Sequence, residues 1–260
     1  MTAGYANLLP YRQLILYKAW CDFRAEAERT LLGPLWWILD PLISMAIYYL
    51  VFGVFLKRGT EDFVPFLIVG ILGYRLFEGS VRRMGNSIYG ARSLCDQVAL
   101  RKLVLPVTSL LTSLYEFAFK LPLLFGVLAL WGFRADVHYA ALPAVLAVEV
   151  LLTCAVGLVL AALVPFVPDL ANAATYALRV GFFLSGVMYS GESLPAGVQR
   201  WFWLNPMSQL VHAQRQALMY GQWPEAPVLV WIAAASALGL LLGIWLLARC
   251  DGLYAKRMMR

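Results

Sequence analysis

Charge is scarce in this chain. Asp, Glu, Lys and Arg make up 14% of its 260 residues, against roughly 25% in an ordinary soluble domain. Histidine is scarcer still: His138 and His212 stand far apart, which leaves no basis for a His-based metal site. The four cysteines, Cys21, Cys95, Cys154 and Cys250, lack C-x-x-C spacing, so neither a metal nor a disulfide role is expected and reduced thiols are the expected state. No G-x-x-x-x-G-K-[ST] loop occurs, which excludes a phosphate cradle of the P-loop kind. H-E-x-x-H and G-x-S-x-G are missing as well, and with them the zinc-protease and serine-hydrolase readings. Before Leu31 the chain has no uninterrupted apolar core, so no signal peptide is expected and insertion falls to the first true span.

What is abundant is apolar sequence, 62% of the chain, arranged in blocks long enough to cross a bilayer. A crossing takes about 20 residues, because the hydrocarbon core is ~30 Å thick and a helix rises 1.5 Å per residue. The expectation is an all-α, polytopic membrane protein with six spans, at about 34–56, 63–81, 104–133, 139–164, 171–189 and 226–248. Residues 1–30 form an N-terminal unit with a partly amphipathic helix, in which Tyr11, Ile15, Ala19, Phe23 and Ala27 repeat at i+4. It reads either as a helix lying on the cytoplasmic membrane surface or as an ordinary cytosolic helix. Residues 31–248 form the membrane unit and 249–260 a basic tail. A short helix at about 88–100 interrupts the spans on one side. On the other, residues 190–225 carry two helices, 195–204 and 206–220, too short to cross and so re-entrant or interfacial.

The net charge of +6 does not point to nucleic acid, since cytoplasmic loops of membrane proteins concentrate Lys and Arg. With both termini inside, the inner segments hold Arg12, Lys18, Arg24, Arg29, Arg82, Arg83, Arg92, Arg101, Lys102, Arg249, Lys256, Arg257 and Arg260. The outer segments hold only Lys57, Arg58, Arg134, Arg200 and Arg215. Cytoplasmic termini are therefore expected.

Charges inside spans are costly and mark function or pairing. Glu116 and Lys120, four apart with the acid first, read as a helical ion pair. Arg75 and Glu78 sit near a boundary, where long side chains snorkel. Glu149 and Arg179 lack local partners; they either pair across helices or face a polar cavity. The aromatics Trp36, Trp37, Tyr48, Tyr49 and Phe52 of the first span, with Tyr176, Phe182, Phe183 and Tyr189 of the fifth, also have two readings. One is interface belts and helix packing. The other is a wall of rings along which sugar faces slide. Gly70, Gly73, Gly181, Ser185 and Gly186 permit close helix approach.

Three passages resemble the permease subunits of ABC-2-type exporters for polysaccharides such as O-antigen, teichoic acid and capsule. They are Leu32-Gly33-Pro34-Leu35-Trp36-Trp37-Ile38-Leu39-Asp40-Pro41, Leu103-Val104-Leu105-Pro106 behind Arg101-Lys102, and Leu204-Asn205-Pro206-Met207 with Arg215 and Gly221 downstream. The order and spacing of elements agree over nearly the whole chain. Pro168 departs from the family, whose members often carry a basic residue before the aspartate equivalent to Asp169.

The resemblance implies a transport subunit without its own nucleotide site. It implies a homodimer working with two copies of a separate ATPase, in which ATP and Mg are held. The 88–100 helix would be the coupling helix, with Arg92, Leu94, Asp96 and Gln97 touching the ATPase, and the N-terminal helix would rest against it too. Spans one, two and five of two copies would line the pore, and the cargo would be a glycan on a polyprenyl carrier. The setting would be the cytoplasmic membrane of a bacterium. A drug- or lipid-moving ABC-2 permease is the nearest alternative, and a membrane-embedded glycan- or acyl-transferring enzyme a more distant one.

Overall fold

The structure, a computed structural model, describes residues 7–57, 62–92 and 100–258. Among them every regular element is helical. A 3-10 turn, Leu9–Tyr11, leads into α1 (Arg12–Glu28). Helix α2 (Leu35–Tyr48) continues as a π-helix through Tyr49–Phe55. Then come α3 (Phe63–Gly90), α4 (Val104–Leu130), a 3-10 turn at Val137–Ala141 and α5 (Leu142–Leu163). Helix α6 (Asp169–Leu184) precedes a 3-10 turn at Gly191–Ser193, the short α7 (Ala196–Phe202), α8 (Pro206–Leu218) and the long α9 (Ala226–Met258).

Local chemistry sets several of these boundaries. Asn205 caps α8 by accepting the Met207 N–H at 3.0 Å, and Pro206 fills the first helical position, where no N–H is needed. At the end of α4, Gly132 takes φ +86. The Phe133 N–H then reaches the Leu128 carbonyl at 3.0 Å and the Gly132 N–H the Ala129 carbonyl at 3.1 Å, the paired bonds of a Schellman ending. The Asp136 side chain caps the next 3-10 turn through the Val137 N–H. The adjoining His138 ring, with that backbone bond, holds the Asp136 carboxyl below the usual carboxylate range.

Among the described residues five helical stretches are long and apolar enough to cross a membrane: Leu35–Phe55, Phe63–Gly90, Val104–Leu130, Val137–Leu163 and Ala226–Tyr254. The expected fifth span, 171–189, is instead the 16-residue α6. At 1.5 Å per residue that is ~24 Å, short of the ~30 Å apolar core. The helix stops because Gly186 turns the chain with φ +67. Helix α3 is the hub: 78% of its most apolar window is buried, against 6% for α2. Three apolar clusters share the interior, two of them built largely on the first two thirds of α3 and the third joining its C-terminal end to α4, α5 and α9.

Helix association in lipid gains little from hydrophobicity, so it depends on close packing of small residues. Helix α9 presents Gly239 and Gly243, four apart, to Ala155, Leu158 and Val159 of α5; a Cβ on Gly243 would stand 2.7 Å from the Leu158 Cβ. Gly157 makes the same room for Met84 of α3. Gly243→Val is therefore expected to cost about 1–3 kcal/mol through overpacking, read as a lower thermal midpoint in detergent; an unchanged midpoint would contradict this packing.

Helix α1 lies on α4. Its i+4 row faces inward, with Ile15 and Ala19 buried and the Thr112 hydroxyl donating to the Ala19 carbonyl at 3.4 Å. The opposite side is not polar, however: Leu14, Leu16, Tyr17 and Trp20 are all exposed.

Candidate functional site: a polar cavity and a buried short helix

A cavity of about 1070 Å³ opens between α1, the start of α2, the second half of α3, the first half of α4 and the middle of α6. Its walls carry Lys18, Arg75, Arg82, Arg83, Lys120 and Arg179 together with Asp22, Glu26, Asp40, Glu78 and Glu116. That is six cations and five carboxylates around one cavity.

Most of these charges are paired across elements. Arg83 spans from Glu26 on α1 at 2.8 Å to Glu116 on α4 at 2.5 Å, both through one guanidinium nitrogen. The pair expected within α4 is looser: Lys120 is 4.0 Å from Glu116. The dominant partner of Glu116 thus comes from α3, and spacing along one helix carries no trace of it. Arg75 does not snorkel outward. It pairs with Asp40 of α2 and donates to the Ser44 hydroxyl at 2.7 Å. Lys18 holds Asp22 at 2.8 Å. Glu78 lines the cavity.

Glu149 and Arg179 are not brought together. Glu149 is fully buried and accepts a 2.6 Å hydrogen bond from the Gln214 amide of α8, while its other oxygen has no partner among the described residues. Arg179 lines the cavity, 5.9 Å from the Tyr176 ring centre.

The end of the bundle away from the cavity is organised by Arg215, which the sequence reading placed in the short 206–220 helix, re-entrant or interfacial. Arg215 is 3% exposed. It donates to the carbonyls of Gly186 at 2.8 Å, Val187 at 2.9 Å and Phe66 at 3.1 Å, and its guanidinium lies 3.4 Å from the Phe66 ring centre. Guanidinium suits such a place because it is planar, weakly hydrated and rich in fixed donors. Gly70 and Gly73 make the approach possible: a Cβ on Gly70 would stand 2.5 Å from the Arg215 guanidinium, and one on Gly73 would collide with the Gln214 amide. Helix α8 is therefore folded back into the bundle against α3 and α5.

The nine aromatics divide by environment. Trp37 stacks on Phe23 at 4.8 Å and meets Phe119 edge-on, within the α1–α2–α4 contact and at the rim of the cavity. Phe182 is buried against Tyr74, whose hydroxyl donates to the Leu178 carbonyl at 2.7 Å. Tyr48 is half-buried beside Phe182, Phe52 packs on the core, and Tyr189 donates to the Phe183 carbonyl at 2.9 Å. Trp36, Tyr49, Tyr176 and Phe183 are exposed on α2 and α6. Of the coupling residues, Arg92 is exposed and lies 3.7 Å over the Tyr89 ring. Leu94, Asp96 and Gln97 lie outside the described residues.

Known proteins resemble this chain over most of its length. It is 28% identical over 232 residues to the O-antigen export system permease protein RfbA of Myxococcus xanthus, covering 88% of this chain and 89% of that protein. To the Klebsiella pneumoniae protein of the same name it is 20% identical over 204 residues, 77% of this chain and 78% of the relative. It is 24% identical over 228 residues to the polysialic acid transport protein KpsM of Escherichia coli, 86% of this chain and 88% of the other. The family model of the ABC-2 type transporter membrane protein matches residues 14–219, a stretch that takes in α1, the cavity walls and the buried α8. This chain belongs to the ABC-2 type transporter family.

Proposed function

We propose that this chain is the permease subunit of an ATP-driven exporter that moves polysaccharide on a lipid carrier from the cytoplasmic to the outer face of a bacterial inner membrane. The observation that carries the reading is the near full-length likeness to permeases named for O-antigen export and polysialic acid transport. The architecture supports it. A cavity lined by charged groups opens at one end of an otherwise apolar bundle, and a polar cargo needs such an entry. Helices α2 and α6 keep most of their apolar and aromatic surface exposed, which suits a pore formed between two copies of the chain.

The work comes from outside. With no P-loop of its own, the chain takes its stroke from two copies of a separate ATPase that hold ATP and Mg. The push enters through the 88–100 segment and α1, since a rigid helix such as α1 transmits rigid-body motion. Both termini are cytoplasmic, which makes α6 with the turn behind it the fifth of six crossings. Sugars pass along the exposed rings of Trp36, Tyr49, Tyr176 and Phe183, while the lipid tail stays at the bilayer.

Replacing Tyr49, Tyr176 and Phe183 together by Ala tests the ring wall, since all three are exposed and Tyr48 is half-buried against Phe182. Export of glycan to the cell surface is expected to fall at least tenfold, about 1.4 kcal/mol of lost transition-state stabilisation, while the permease–ATPase complex is recovered at the wild-type level. Unchanged export would remove these rings from the pathway.

A further inference from the structure

The end of α3, the start of α4, the end of α5 and the end of α9 meet in one buried apolar cluster. Ile88 of α3 belongs to it, as do Leu103 and Leu105 at the start of α4, so both stems of the 88–100 segment are anchored in the same packed body. Tyr254, near the end of α9, is fully buried in that body. A buried tyrosine needs a partner for its hydroxyl, and this one donates to the Ala162 carbonyl at 3.0 Å. Ala162 lies in the last turn of α5, where carbonyls lack a helical donor. The Tyr254 ring also meets Phe166 at 5.2 Å. Phe166 stands in the corner between α5 and α6, which short local bonds make stiff. The Leu163 carbonyl accepts from Phe166 at 2.9 Å and from Val167 at 3.1 Å, and the Val167 and Pro168 carbonyls accept from Leu170 and Ala171, both at 3.0 Å. Along its own length α6 buries only Leu178 and Phe182, both beside Tyr74 of α3. Tyr74 thus forms a pivot, with Arg215 fastening the far end of α6 through Gly186 and Tyr254 the near end through the corner.

We infer that Tyr254 is a positioning residue for export: it locks the start of α6 to both stems of the 88–100 segment, so that a push on those stems becomes a tilt of α6 about Tyr74. The role rests on the exporter reading, in which an ATPase pushes on that segment and α6 borders the pore, and it names the route by which the push arrives. Close-packed interiors shift as whole bodies and do not deform continuously. A displacement of Ile88, Leu103 and Leu105 is therefore passed to Tyr254 and on to the corner. The hydroxyl matters beside the ring, because it ties the packed body to the backbone of α5 just before the chain turns toward α6. Contact with Phe166 alone would let the two rings slide.

The test uses the full-length permease with its ATPase in nanodiscs. Amide exchange over Asp169–Leu184 is read with and without ATP and vanadate, beside ATP hydrolysis, and surface glycan is read in the native host. Wild type is expected to show a nucleotide-dependent change in exchange over α6. In Y254F, which keeps the ring, that change is expected to shrink about fivefold, the scale of one lost buried hydrogen bond. Surface glycan is expected to fall alongside, while hydrolysis continues at the wild-type rate. F166A, on the other side of the contact, is expected to do the same. W245A, on α9 but outside the cluster and 44% exposed, is expected to behave as wild type in all three. Hydrolysis lost in step with the α6 response would place Tyr254 in ATPase engagement and overturn the inference. An unchanged α6 response in both Y254F and F166A would overturn it too, leaving Tyr254 a packing residue even if the thermal midpoint fell. A wild-type complex with no nucleotide response over α6 would count against the exporter reading as well, which tells the two failures apart.

Discussion

Arg215→Ala is expected to destabilise the permease by on the order of 3–5 kcal/mol. Three backbone carbonyls, those of Phe66, Gly186 and Val187, lose their donor together. A buried polar group left unsatisfied costs about 1–3 kcal/mol, and hydrocarbon offers no water in replacement. Arg215→Lys recovers only part of the loss, because an ammonium has no planar fork to reach carbonyls on α3 and on the turn after α6 at once. Thermal midpoint in detergent and steady-state level in the membrane check the effect. A midpoint for Arg215→Ala equal to wild type would show that the contacts do not hold α8 in place. The consequence reaches beyond stability: one side chain ties α8, the central helix α3 and the turn after α6 into one body, so a tilt of α6 is expected to carry α8 with it.

The second large effect is expected at Arg83. It is the bridge between Glu26 on α1 and Glu116 on α4, and Arg83→Ala leaves Glu116, only 12% exposed at its side chain, with Lys120 at 4.0 Å. Breaking a fully buried pair by removing one partner costs about 3–5 kcal/mol. Arg83 is 27% exposed, and solvent screening reduces the expected figure to ~2 kcal/mol. Arg83→Met combined with Glu116→Met is expected to restore part of the loss, since the buried carboxylate goes with its arginine, while the more exposed Glu26 turns to solvent and Lys120 loses its acid. A double variant no more stable than Arg83→Ala would show that the arginine acts through something other than Glu116. Because Glu26 sits on α1, the single variant is also expected to loosen that helix, seen as faster amide exchange over Arg12–Glu28.

The distribution of what was readable follows from the physics. Uninterrupted apolar runs specify α2, α3, α4, α5 and α9, because a crossing segment has to satisfy its backbone internally and composition alone reports that. The ends of α6 and α8 were legible only where a residue enforces them, as Asn205-Pro206 does at the start of α8. Gly186 was noted as a small residue, yet a positive φ is a property of the fold and shortened the expected span. Burial of α8 was hidden because Gln209, His212, Gln214 and Arg215 give it a polar composition. Its interior place depends on carbonyls and a carboxylate supplied by distant elements. Half of that signal was present: Gly70 and Gly73 were recognised as sites of close approach, without the side chains that approach them. The Gly239–Gly243 spacing on α9 was legible and missed. Ion pairing within one helix can be counted from sequence, which gave Glu116–Lys120, whereas Arg83–Glu116 and Arg75–Asp40 exist only once helices are packed.

The central claim is that this chain is half of an ATP-driven machine. The most direct measurement is a mild-detergent purification of the tagged permease from its native membrane, with mass spectrometry of what accompanies it. The account predicts a P-loop ATPase recovered in equal molar amount, in a particle holding two copies of each subunit. A permease that purifies alone, without ATPase even after gentle cross-linking, would contradict the account.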